Sequence, residues 1–152
     1  MRGRTAKIAV WGGLAAVVLA AVVVPSVLPA SSDDYRDFAL SAAEKALSQV
    51  RTAELVVTAD AEGNVLPPYR SAVLWQARDT LATATSDFTS EEVPDAAALA
   101  VHDECLPVLS AAAAEVAAVS TAADAGPDAE RALAAKLRGT GDLLAGFLER
   151  HR

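Results

Sequence analysis

Cysteine is almost missing from this chain. Cys105 is the only one in 152 residues, so neither an intramolecular disulfide nor a paired-thiol metal site can form. Methionine is limited to Met1, which removes methionine ligation of copper. No CxxCH marks covalent haem and no HExxH marks a zinc protease. The paired ExxH steps of a di-iron carboxylate bundle are also lacking. Gly139-Thr140-Gly141 is glycine-rich, but it has neither the lysine nor the preceding strand that a phosphate loop needs. These gaps predict no metal, no cofactor and no enzymatic activity. Basic residues are the minority, 13 against 20 acidic, with a sequence pI near 4.7. Nucleic acid is therefore not an expected partner, because neutralising phosphates takes clustered lysine and arginine.

Alanine fills about a quarter of the positions, and aromatic residues only 5%. Alanine loses no side-chain entropy in a helix and offers a strand face little to pack, so the composition predicts an all-α fold.

The N-terminus carries the strongest pattern. Arg2, Arg4 and Lys7 precede a stretch free of charge from Ile8 to Ser32. At 1.5 Å per residue, residues 8–30 would span about 34 Å as a helix, enough to cross a hydrocarbon core. Cationic residues stay on the cytoplasmic side, so 1–7 is expected in the cytoplasm and 33–152 outside it. Trp11 fits an anchor residue within that span. Ala30-Ser31-Ser32, after Pro25 and Pro29, also suits a signal peptidase. The length of the run favours a retained single-pass anchor, and cleavage would instead give a secreted protein. No cysteine follows the run, which excludes a lipid anchor, and no later stretch reaches 18 apolar residues without a charge.

Removing the three leading basic residues leaves ten against 20 acidic ones, a net charge of −10 on the exported part. Apolar periodicity and breakers divide this part into four helices. The first is expected over 33–59, with Leu40, Ala43, Leu47, Val50 and Val57 on one stripe interrupted by Glu54. The second runs from about Pro68 to Phe88 and buries Leu74, Trp75, Leu81 and Phe88. The third spans 95–124, with Leu99, His102, Leu106, Leu109, Ala113, Val116, Ser120 and Ala123 in line, and Pro107 within it predicts a kink. The fourth starts at Pro127, with Leu133, Leu137, Thr140, Leu144 and Phe147 inward. Gly139 and Gly141 weaken it unless they permit a close approach. A hairpin over 55–66 is the competing local arrangement. Four helices with short breaks predict an antiparallel four-helix bundle, which returns Arg150, His151 and Arg152 to the end where the first helix starts. There they would cap the helix dipole or touch headgroups.

Four side chains stand out as pocket or interaction candidates. His102 and Cys105 lie one turn apart, but two ligands do not make a metal site, and a histidine on an apolar stripe is ordinarily bonded within a bundle. Cys105 is expected to be buried as a small hydrophobe; exposed, it could link two chains. Trp75 and Tyr69, with Tyr35 and Phe88, read as packing anchors more than as a ligand cage. An anchor followed by a bundle resembles bacterial four-helix sensor domains. The resemblance implies an accessory part at most, since this sequence carries neither a second span nor an output region. The expected role is a membrane-anchored extracytoplasmic module, structural or protein-interacting, with an envelope protein or a second copy as partner. The alternative is an exported ligand-binding or sensory accessory bundle.

Overall fold

Ser31 opens the folded part with a reciprocal cap. Its hydroxyl accepts from the Asp34 N–H at 3.1 Å, and its own N–H donates to the Asp34 carboxylate at 3.2 Å. The computed structural model describes residues 31–122 and 126–152. The expected membrane segment, its orientation and its cleavage lie outside them. Four helices follow in order: α1 Ser32–Ala61, α2 Pro67–Ser90, α3 Ala96–Thr121 and α4 Pro127–His151. No strand occurs among the described residues, and the hairpin alternative over 55–66 is not adopted.

Local chemistry explains the ends. α1 stops at Gly63, whose φ of 73° lets its N–H reach the Asp60 carbonyl while the Asn64 N–H reaches that of Ala59. α2 begins with Pro67 and Pro68, where missing N–H groups cost nothing. The Asp95 carboxylate caps α3 by accepting from the Ala98 N–H at 2.8 Å, and it also takes the Ser32 hydroxyl. α3 runs unbroken through Pro107, which lies on its exposed face.

Contacts at both ends show an up-down arrangement. At one end, Ser32 of α1 meets Asp95 before α3, and Arg36 donates to the carbonyls of His151 and Arg152 at the end of α4. At the other, Arg70 near the start of α2 meets Asp60 of α1, Glu130 of α4 and the Val119 carbonyl of α3. The backbone of α1 runs close to every other helix, whereas α2 and α4 meet only through the Arg70 and Glu130 side chains. The cause is the buried line of α1, where Ala39, Ala42, Ala43, Ala46 and Ala53 hold no bulk. α3 therefore closes across the middle, with the Cys105 sulfur 4.0 Å from the Ala39 carbonyl oxygen.

Some expected faces are rotated. Leu40 and Leu47 only flank the alanine line of α1. In α3 the buried positions are Ala98, Cys105, Leu109, Ala112, Val116 and Val119, one residue off much of the expected stripe, and Leu99 is 47% exposed. An alanine-rich helix has two apolar faces, and close approach to α1 selects the one with smaller side chains. In α4, Leu137, Thr140, Leu144 and Phe147 point inward as expected.

By length and composition α3 is the one described helix able to cross a membrane. In the bundle 28% of its most apolar stretch is buried, and it carries Asp103, Glu104 and Glu115. Gly141 does permit a close approach: a Cβ there would lie 2.8 Å from the Arg51 guanidinium carbon, whereas one on Gly139 would meet nothing. Arg51 lies over that gap and pairs with Glu54 and Asp142, while Arg138 takes the other Glu54 oxygen. The charge that interrupts the α1 stripe is thus held by two arginines.

Candidate functional site

The four candidate side chains do not converge. His102 belongs to an aromatic group where α1 and α3 begin. Its ring stacks on Phe88 at 5.4 Å and 7°, and Phe88 in turn stacks on Phe38 at 5.9 Å. Its Nδ1 lies 3.2 Å from Asp103, so it is bonded at the bundle edge. Cys105 is 1% exposed. Burial, with the Glu104 charge nearby, pushes its thiol up to about 12, so it stays protonated and unreactive at neutral pH.

Trp75 and Tyr69 correct the expectation. Neither packs into the core; they are 65% and 60% exposed. The buried line of α2 is Arg70, Leu74, Ala77, Leu81, Ala84 and Phe88. Leu74, Leu81 and Phe88 repeat every seven residues and share one face, which turns Trp75 about 100° away from it. Trp75 is 13 residues before Phe88, hence about 20 Å along α2 from the His102 ring.

Two charged groups were missed from sequence. Arg70 is 4% exposed and Glu130 6%. The Arg70 Nε lies 2.5 Å from Asp60, and Nη2 lies 3.9 Å from Glu130 and 3.5 Å from the Val119 carbonyl. Burial raises the Glu130 carboxyl, and the hydrogen bond and charge of Asp60 raise it further against the pull of Arg70. Arg70 falls in phase with Leu74, Ala77 and Leu81, a position where an arginine needs a partner. That phase was the available signal.

At the opposite end, Glu104 lies below the usual carboxylate range because His151 and then Arg150 hydrogen-bond to it. The three terminal residues are thus committed to protein contacts, Arg152 pairing with Glu44. Among the described residues no three histidine, cysteine or acidic side chains are placed to hold a metal.

Between α2 and α3, Arg70, Ser71, Leu74, Trp75 and Arg78 form a groove with Ser120, of about 200 Å³. It continues past Trp75 and Arg78 over Asp79 and Ala82. A more apolar trough lies between α3 and α4, lined by Ala114, Glu115, Ala118, Val119, Leu133 and Lys136. Comparisons with protein-family models, curated proteins and solved structures return no match.

Proposed function

We propose that the chain is a single-pass, membrane-anchored module whose four-helix bundle lies outside the cytoplasm and acts through a protein contact on the outer face of α2. The observation that carries this reading is the exposure of Trp75 and Tyr69. A core short of bulk buries Tyr35, Phe88 and Phe147, yet these two large aromatics face solvent. Tryptophan, tyrosine and arginine are the residues that most often anchor protein interfaces, and Arg78 stands beside Trp75. The anchor reading rests on the uncharged run after Arg2, Arg4 and Lys7.

A C-terminally tagged chain in intact cells tests both parts. The tag should be removed by added protease while the protein stays full-length in the membrane fraction. A photocrosslinker at Ala72 should yield a discrete adduct, to an envelope protein or a second copy, that W75A/Y69A abolishes. A protected tag overturns the topology, and an adduct unchanged by the double substitution overturns the contact. A shortened product free in the medium would mean a cleaved signal. A second reading, a ligand-binding accessory bundle, is favoured by the groove beside Trp75.

A further inference from the structure

The groove beside Trp75 has a chemistry more specific than an aromatic contact. Ser71, Trp75 and Arg78 are spaced i, i+4, i+7 and share one face of α2. Arg51, Arg70, Arg131, Arg138, Arg150 and Arg152 each hold a carboxylate. Arg78 holds none among the described residues, in a chain with 20 acidic side chains. The inner wall is the buried Arg70, in ion contact with Asp60 through Nε and reaching the Val119 carbonyl through Nη2. Ser120 donates its hydroxyl hydrogen to the Val116 carbonyl within its own helix. Ser71 makes no described side-chain bond and is free to donate. The Trp75 indole supplies an apolar wall.

We propose that this groove binds a monovalent carboxylate carried on a flat or branched apolar group, with the carboxylate against Arg78 and Ser71 and the apolar part against Trp75. The planar fork of a guanidinium matches a carboxylate in two parallel hydrogen bonds. A dianion such as phosphate fits poorly. Asp60 already balances Arg70, Glu130 lies behind it, and Asp79 borders the outer part of the groove. The inference rests on the outer face of α2 being the contact surface and adds the chemistry it recognises. A free acid and the C-terminus of a peptide share that chemistry.

The test uses the full chain in detergent micelles with Trp11→Phe, which leaves Trp75 as the only indole. Its fluorescence is titrated with 3-phenylpropionate and with the neutral 3-phenylpropionamide, then with acetyl-Leu-Phe bearing a free C-terminus and with its amide. One or both acids should give a saturable change that the amides lack, and R78Q should raise the half-saturating concentration by about tenfold or more. Tighter binding of the peptide acid identifies a chain end as the ligand, and tighter binding of phenylpropionate a free acid. Equal response to acid and amide, or no effect of R78Q, overturns the site. Arg78 is exposed, so R78Q leaves the core intact. A failed titration beside an adduct that still depends on Trp75 removes the carboxylate site and leaves the contact surface standing.

Discussion

Tyr35 is 2% exposed, and its hydroxyl has no hydrogen-bond partner among the described residues. The ring is needed, since it lies 6.0 Å from Phe88 and 6.3 Å from Phe38 in a core with few large groups. The hydroxyl is a cost, because a buried polar group without a partner loses its hydration and gains nothing. Tyr35→Phe should therefore raise stability by about 1 kcal/mol, read as a higher urea midpoint with an unchanged slope. A lower midpoint would mean that the hydroxyl is bonded in solution. Single-residue roles were the least legible part of the sequence. Burial of Cys105 was expected from its residue type, whereas helical phase put His102 on the inward stripe and the observed face leaves it at the edge. Exposure of Trp75 depends on a rotation of about 100°, and an apolar residue beside Leu74 looks the same on either side of it. Arg70 and Glu130 come together from elements 60 residues apart, so no local pattern joins them.

At the scale of elements, breakers and caps carried most of the information. Gly63, Pro67, Asp95 and Pro127 mark ends within a residue or two of where they fall, because each acts through its own backbone or a neighbour within four positions. The rotation of a helix about its axis is a tertiary property. In α3 alanines line both candidate faces, and only the approach of α1 chooses between them. Gly63 offers a clean check of a cap. A Cβ there would meet no atom within 4 Å, so the whole effect of Gly63→Ala is the left-handed backbone that alanine resists. The substitution should lower stability by about 1 kcal/mol. Asn at this position, which tolerates that conformation, should recover part of the loss. If Gly63→Ala leaves the thermal midpoint unchanged, the turn after α1 has another form in solution.

The whole molecule is polarised in its response to acid. Asp34 and Asp95, which cap α1 and α3, and Glu104, which holds the end of α4, all lie below their ordinary values. The hydroxyl and N–H of Ser31 lower Asp34, the Ala98 N–H and then Ser32 lower Asp95, and His151 and then Arg150 lower Glu104. A depressed carboxyl contributes stability above its unfolded value, lost as pH falls through the folded one. All three lie at the end where the chain enters and leaves. At the far end Glu130 is raised, mainly by burial. Its contribution is fully present below the unfolded value and is lost as pH rises through the folded one. Glu54 is lowered too, because the hydrogen bonds of Arg51 and Arg138 outweigh its burial. Acidification below the ordinary carboxylate range should therefore loosen the first end and the Glu54 contact between α1 and α4 while the Glu130 end holds. Hydrogen exchange should show amides at the starts of α1 and α3 losing protection before those at the starts of α2 and α4. Glu130→Gln should remove the pH dependence of the second end alone. Uniform loss at both ends would contradict the assignment. The same arrangement sets how the bundle carries a load. Ser31 and Arg152 leave from one end, joined through Arg36 and the last two carbonyls. Tension between the two termini falls on that contact first and then separates α1 from α4 turn by turn, as a zip opens. Such a module yields at low force and closes again when the pull is released.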